Sequence, residues 1–138
     1  MRVVADTNTV VSGLLWTGAP RALLDAARAG RISLYTSAAL LAELIDVLPR
    51  TQFAKRLSAS KMSVERLVRR YARLARRVVA ADIGRVASDP DDDAVLACAL
   101  AAGADLIISG DKRLRNLKTY HGIPIVNAAE ALTRLAPG

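Results

Sequence analysis

Short apolar runs that favour β-strands alternate with longer helical segments along this chain, and this alternation restricts its fold most. Strands are predicted at residues 2–5, 32–35, 105–109 and 123–126, and helices at residues 20–29, 38–48, about 63–79, 90 to near 103, and 128–135. Strands that alternate with helices indicate a parallel sheet covered by helices on both faces. The predicted fold class is therefore α/β with three layers, and ligands of such folds bind at the carboxyl ends of the strands.

Length and composition narrow the class of protein. With 138 residues, we expect a single domain (residues 1–138) that buries roughly 68% of its unfolded surface. The apolar runs are far shorter than the roughly 20 residues that span a bilayer, and the N-terminus does not resemble a signal peptide, so we expect a cytoplasmic protein. A single cysteine, Cys98, and a single histidine, His121, exclude an internal disulfide, a thiolate zinc site and a catalytic pair of histidines. Hydrolytic chemistry would have to rest on carboxylates and a metal.

Two acids follow predicted strands. Asp6 ends the run VVAD, and Asp111 follows DLIISG. If these strands are neighbours, the two carboxylates lie close together, where they repel each other unless a proton or a cation stands between them. Either acid alone is also explained as the N-cap of a following helix. The presence of both acids, each after a predicted strand, favours a functional site.

A third acid lies within a predicted helix, for which Ser37 is the expected N-cap. Glu43, in AALLAELIDVL, stands beside Leu40 and Val47 at the border of the apolar face, whereas Asp46 points to solvent. A border salt bridge is one interpretation of Glu43. Its position also allows the carboxylate to face inward.

The stretch SDPDDD opens another helix with a run of acids. Helix capping and the helix dipole account for Asp89 and Asp91. On a helical wheel, Asp92 lies nearer than Asp93 to the large apolar residues that follow, so Asp92 is predicted to point toward the core. A carboxylate in that position needs a partner.

Four acids on separate elements can thus converge at one edge of the sheet: Asp6, Glu43, Asp92 and Asp111. Oxygen ligands alone select hard divalent cations, Mg²⁺ or Mn²⁺, over zinc. In carboxylate sites these ions act on phosphate esters, because they generate hydroxide and stabilise the charge of the phosphate and the leaving oxygen.

The basic residues are concentrated in one segment. Residues 50–77 hold ten basic residues and one acid, a net charge of +9, whereas the rest of the chain sums to −2. Six arginines recur there at helical spacing and form one stripe: Arg66, Arg69, Arg70, Arg73, Arg76 and Arg77. Such a stripe suits an RNA backbone or an acidic protein segment, and a solvated helix face is the simpler alternative.

Four motifs in series resemble those of the PIN-domain nucleases: VVADTNTVVSGLLW, SAALLAEL, DDDAVLACALAAGAD and LIISGDKRL. The chain looks most like the stand-alone prokaryotic branch, the toxins of VapBC-like toxin–antitoxin pairs. The resemblance implies a Rossmann-like parallel sheet of about five strands, a Mg²⁺ or Mn²⁺ site and cleavage of single-stranded RNA. It also implies a homodimer or higher homo-oligomer, and a cognate antitoxin protein as partner.

The resemblance assigns roles to individual residues. The family's site acids fall on Asp6, Glu43, Asp92 and Asp111, with Asp93 as the reserve choice for the third acid, and Asn8 matches a polar residue that supports the first Asp. All four acids are candidates for the metal, and Glu43 is also expected to orient or deprotonate the attacking water. Basic residues expected to bind RNA or the partner are Arg66, Arg69, Arg70, Arg73, Lys112 and Arg113.

Two alternatives stand beside a metal-dependent endoribonuclease that uses metal-activated water. One is a non-catalytic PIN-like domain that binds RNA or protein, although such a domain would be expected to lose site acids. The other is a metal-dependent phosphatase of the haloacid dehalogenase type, which needs a second Asp where this chain has Asn8.

Overall fold

The computed structural model describes residues 1–135. In that part of the chain the strands are β1 (Arg2–Ala5), β2 (Ser33–Thr36), β3 (Arg76–Arg77), β4 (Leu106–Ile108), β5 (Thr119–Tyr120) and β6 (Ile123–Val126). The α-helices are α1 (Thr7–Leu15), α2 (Ala19–Arg28), α3 (Ala38–Val47), α4 (Ala54–Ser60), α5 (Val64–Leu74), α6 (Pro90–Ala102), α7 (Lys112–Arg115) and α8 (Ala128–Leu135).

The strands form one sheet in the order β3-β2-β1-β4-β6-β5. The first five in this order are parallel, and only β5 runs antiparallel, against β6. The hairpin between them turns at His121 and Gly122, which both have positive φ as the tightest two-residue hairpins require. The predicted α/β fold with a central, mostly parallel sheet is confirmed.

Both faces of the sheet are covered. Successive residues of a strand point to opposite faces, so Val3 lies in one hydrophobic cluster with Leu44 and Val11, while Val4 lies in a second cluster with Leu96. Val3 and Val4 are both fully buried, as expected for a central strand. The layers thus place β1 and β4 side by side in the middle of the protein, with their carboxyl ends at the same edge. Within residues 1–135, none of the helices combines the length and apolar character needed to cross a bilayer.

The predicted helix 63–79 is wrong at its C-terminal end. Helix α5 stops at Leu74, Ala75 adopts an extended backbone, and Arg76 and Arg77 pair with β2 as the edge strand β3. The arginine spacing continues smoothly across this boundary, which is why the helical pattern extends too far. Backbone hydrogen bonding to a strand distant in sequence ends the helix, and the arginine stripe on α5 is reduced to Arg66, Arg69, Arg70 and Arg73.

Helix α1 follows β1 directly, although no helix is predicted there. Its sequence, TNTVVSGLL, contains β-branched residues and a glycine, which have low helix propensity. Burial overrides that preference, because most of the helix, including Val10, Val11, Leu14 and Leu15, packs into the core.

Candidate functional site

A cleft of about 190 Å³ opens at the carboxyl ends of β1 and β4. Because these strands are parallel neighbours, Asp6 and Asp111 follow them at the same edge of the sheet. The structure brings all four predicted site acids to this cleft: Asp6, Glu43, Asp92 and Asp111. Two further acids line it as well, Asp89 and Asp91.

Asp6 is held in one orientation by three hydrogen bonds. Its side chain is the N-cap of α1, with Oδ1 accepting from the Thr9 amide at 2.9 Å. Oδ2 accepts from the Ser109 hydroxyl at 2.7 Å and from the Gly110 amide at 3.2 Å. Asp6 therefore caps α1 and also lines the cleft, although it is only 7% exposed. Asn8, expected to support Asp6, lines the cleft without being one of its three donors.

Asp111 is positioned by the same serine. The Ser109 Oγ, which is completely buried, accepts a hydrogen bond from the Asp111 amide at 3.0 Å. The Asp111 carboxylate then caps α7 by accepting from the Arg113 amide at 2.9 Å, and it lies 3.5 Å from the Arg113 guanidinium. One buried hydroxyl thus links the two acids that follow β1 and β4.

Glu43 reaches the cleft from α3, the helix that begins at the predicted N-cap Ser37. The Thr7 hydroxyl donates a hydrogen bond to Glu43 Oε1. The pKa of Glu43 is raised to about 7, chiefly by burial, and the Thr7 hydrogen bond opposes this rise. A hydrogen bond to Asp91 and the charges of Asp91 and Asp6 make smaller contributions in the same direction as burial. Glu43 can therefore gain and lose a proton near neutral pH.

Asp92 projects into the cleft from the first turn of α6. Burial raises its pKa to about 6, followed in importance by the negative charges of Asp111, Asp89 and Asp6, while Arg113 lowers it. Within residues 1–135 no side chain or amide provides a hydrogen bond to this carboxylate. The pKa of Asp92 is thus raised mainly because the carboxylate is partly buried, and to a lesser extent because neighbouring acids repel it.

Asp93 lies outside the cleft. Its Oδ1 accepts hydrogen bonds from the amides of Val86 and Ala87, at 3.1 and 2.6 Å, and its Oδ2 lies 3.5 Å from Arg85. Asp93 thus anchors the extended segment that precedes α6. The helical wheel directed Asp92 to the core, yet Asp93 is the buried acid and Asp92 faces the cleft. The wheel failed because α6 is buried on nearly all sides and has no single apolar face.

Two arginines stand at the walls of this acidic cleft. Arg113, which was predicted to bind RNA or the partner, is one; Arg50, which was not singled out, is the other. Arg50 pairs with Asp46 at 3.3 Å. Arg50 lies beyond the end of α3 with an extended backbone, so the helical spacing of Glu43 and Val47 could not have located it.

The other basic candidates lie elsewhere. Arg66, Arg69, Arg70 and Arg73 are exposed on α5, and Lys112 is exposed on α7. None of these five lines the cleft. Any role in binding a polyanion is therefore separate from the acids.

The donor set of the cleft suits a hard cation, because it consists of carboxylates, one hydroxyl and one amide oxygen, with no histidine nitrogen or cysteine sulfur. Within residues 1–135, no three acidic, histidine or cysteine side chains already surround a single point as metal ligands. Asp6 is fixed by its three hydrogen bonds, whereas the Asp92 carboxylate accepts none from the described residues. The residues fit a divalent cation in chemistry.

Comparison with known proteins identifies the family to which the chain belongs. A family model described as a PIN domain matches residues 2–113, a span that contains all four predicted site acids. No curated protein matches the chain. PIN domains are generally nucleases, that is, hydrolases of phosphodiester bonds. With this match over most of its length, the chain belongs to the PIN-domain family.

Proposed function

We propose that the protein is a Mg²⁺- or Mn²⁺-dependent endoribonuclease that cleaves single-stranded RNA with an activated water. The observation that carries the proposal is the convergence of Asp6, Glu43, Asp92 and Asp111, from four separate elements, on one cleft. Holding so many carboxylates together is costly, and the raised pKa values of Glu43 and Asp92 reflect first their burial and then their repulsion by neighbouring acids. The carboxylates would be kept together despite this cost because they bind a cation and, through it, a phosphodiester.

Asp6, Asp92 and Asp111 are the residues proposed to hold the cation, with Glu43 beside them. When bound, the cation would activate water as a nucleophile and stabilise negative charge on the scissile phosphate. Glu43 is proposed to accept the proton of the attacking water, because its pKa of about 7 suits a general base near neutral pH. Thr7, through its hydrogen bond to Oε1, keeps the Glu43 carboxylate turned toward the cleft.

Arg50 and Arg113 are proposed to bind the phosphates on either side of the scissile bond. Both guanidinium groups line the cleft and are exposed at its walls, where an incoming RNA backbone would meet them. Arginine suits this role because its planar group binds phosphate oxygens in pairs. They also offset part of the repulsion between an acidic cleft and a polyanionic substrate.

The test is cleavage of defined RNAs with Mg²⁺, Mn²⁺ or EDTA, followed by end-group analysis. Water attacks phosphorus, the bond to the 3′-oxygen breaks, and that oxygen takes a proton, so the products carry 5′-phosphate and 3′-hydroxyl ends. His121→Ala should retain activity, since His121 is an exposed turn residue outside the cleft. A deoxynucleotide on the 5′ side of the scissile bond should still allow cleavage. Cyclic phosphate ends that require His121 would overturn the proposal.

We further propose that the protein is the toxin of a toxin–antitoxin pair and that α5 contacts an acidic antitoxin segment. Arg70 and Arg73, with Arg28 and Leu74, line a shallow groove of about 340 Å³. Arg70 also borders a neighbouring groove that contains Met62 and Leu67. Apolar side chains between arginines suit a segment that carries both apolar and acidic residues better than they suit a bare phosphate backbone.

This partner is tested with the protein encoded by the adjacent reading frame. An Arg70→Gln/Arg73→Gln variant should lose the complex and keep RNA cleavage, while a Lys55→Gln control, exposed and outside these grooves, should keep both. If the double variant instead weakens RNA binding and reduces its salt dependence by about 0.7 log units per lost phosphate contact, the arginines bind RNA.

A further inference from the structure

A second, larger groove adjoins the acidic cleft. It has a volume of about 620 Å³, and Asn8, Asp111 and Arg113 line both the cleft and the groove. The two spaces are therefore adjacent, so that neighbouring parts of one ligand can occupy both. The volume lies within the range of roughly 300–1,000 Å³ that is typical of sites for small organic ligands.

The chemistry of the groove differs sharply from that of the cleft. Among residues 1–135, the charged residues that line it are Asp111 and Arg113, and both stand at the boundary with the cleft. Beyond them the walls are neutral, built by Ser12 of α1, Pro20 of α2, and Asn127 and Ala129 at the start of α8. Apart from Arg113, the described residues of these walls include no basic side chain to hold a phosphate, and apart from Asp111 they include no carboxylate to hold a cation. A neutral group with an apolar face and polar edges would fit.

Polar groups in the groove are available to a ligand. Within residues 1–135 the side chains of Asn8 and Ser12 have no hydrogen-bond partner, although both line the groove. The Asn127 Oδ1 accepts from the Glu130 amide at 2.8 Å and so caps α8, which leaves the Asn127 side-chain NH₂ as a donor. Side-chain amides that offer donors and acceptors suit the edges of nucleobases, and Pro20 and Ala129 provide apolar contact for a base or ribose.

We propose that this groove binds the base and ribose of one nucleotide next to the scissile phosphate, and thereby contributes to the choice of cleavage site. The inference rests on the proposed function, because the acidic cleft must hold that phosphate. It assigns Asn8, Ser12 and Asn127 to recognition of the base and separates them from the acids that act on the phosphate.

The experiment compares an RNA of defined sequence with the same RNA lacking one base, either just 5′ or just 3′ of the scissile phosphate. For the parent protein, the abasic change at one of these two positions should lower kcat/KM by about tenfold or more, in keeping with the usual contribution of a bound base. An Ala129→Phe variant, which fills the groove, should cleave intact RNA less well and should lose most of its sensitivity to the missing base.

Ala101→Phe is the matched control, because Ala101 is an exposed helical alanine on α6 that lines neither space. It should retain the parental response to the abasic RNA. Should Ala129→Phe fail to fold, as judged by its thermal melt, Asn127→Asp replaces it: this change keeps an oxygen to cap α8 and removes the NH₂ donor. The expected result for Asn127→Asp is an altered preference among the four bases at the sensitive position.

Equal kcat/KM for intact and abasic RNAs in the parent would overturn the inference while leaving the proposed function intact. The same holds if Ala129→Phe responds as Ala101→Phe does. Absence of RNA cleavage by the parent would instead contradict the proposed function. In that case, equilibrium binding of intact and abasic RNAs, measured by fluorescence anisotropy, tests whether the groove binds a base. Equal affinities would overturn the inference.

Discussion

The Ser109 hydroxyl donates a 2.7 Å hydrogen bond to Oδ2 of Asp6, and both groups are buried. The Ser109 Oγ also accepts a hydrogen bond from the Asp111 amide. Ser109 therefore determines the relative position of two acids that are more than one hundred residues apart in sequence. Two acids that repel each other need such a fixed link. Ser109 is therefore a positioning residue of the site, although it carries no charge.

Ser109→Ala should destabilise the protein and impair the site together. The change leaves Asp6 Oδ2 with the Gly110 amide alone, and a lost hydrogen bond to a buried charged group costs about 1.5–3 kcal/mol of unfolding free energy. RNA cleavage should fall by about tenfold or more, and Mn²⁺ should bind more weakly. Denaturation curves measure the loss of stability, and the thermal shift caused by Mn²⁺ measures the weaker binding. Ser58→Ala, at an exposed serine, is the control. Parental cleavage by Ser109→Ala would contradict this role.

The acids of the cleft should make stability depend on pH. The pKa of Glu43 rises to about 7 and that of Asp92 to about 6, above their ordinary values of 4.5 and 3.8. The folded state therefore binds protons more tightly than the unfolded chain. The resulting stabilisation is fully present below about pH 4 and is lost as the pH rises through about 6 to 7.

Glu43→Gln/Asp92→Asn should accordingly become more stable relative to the parent as the pH rises from about 4 to about 7, since neither new side chain acquires charge. Thermal melts in EDTA across this range measure the difference. Glu65→Gln, at an exposed acid on α5, should follow the parental curve. A difference between the double variant and the parent that does not change with pH would contradict the charge repulsion described here.

Divalent cations should stabilise the fold. A cation bound only by the folded protein adds about 2.7 kcal/mol at one hundred times its Kd, and in this cleft it also removes repulsion between carboxylates. Mn²⁺ or Mg²⁺ at millimolar concentration should raise Tm. Asp6→Asn should abolish most of the shift without unfolding the protein, because asparagine is also a good N-cap for α1. The absence of any shift in the parent would count against a metal site.

Neighbouring acids of α6 should behave differently when substituted. Asp92→Asn should lower cleavage by about a hundredfold and leave the fold intact, because the side chain faces the cleft. Asp93→Ala should instead lower the unfolding free energy by about 1–3 kcal/mol, since the amides of Val86 and Ala87 lose their acceptor. Activity assays and denaturation curves on the same preparations separate the two effects. If Asp93→Ala abolishes cleavage at full stability, the assignment of the third acid moves to Asp93.

Much of the fold follows from local sequence. Alternating strands and helices predict the sheet, and Ser37 and Asp89 begin the helices they were predicted to cap. The run IPIV forms β6 over the predicted residues, because it combines strand-forming residues with a tight turn before it. Local preference and tertiary packing agree at these positions. Where packing overrides local preference, as in α1, the sequence alone is misleading.

The positions of the cleft acids are likewise determined partly by local sequence and partly by tertiary structure. Sequence alone places Asp6, Glu43 and Asp111 at element ends or on a helix border, because strand ends and helical faces are local properties. Only tertiary structure decides that β1 adjoins β4, that Ser109 links Asp6 to Asp111, and that Asp93 is buried against the amides of Val86 and Ala87. The first two of these outcomes depend on contacts between residues far apart in the chain. The helical period of 3.6 residues cannot show which residues contact a helix that is buried on nearly every side.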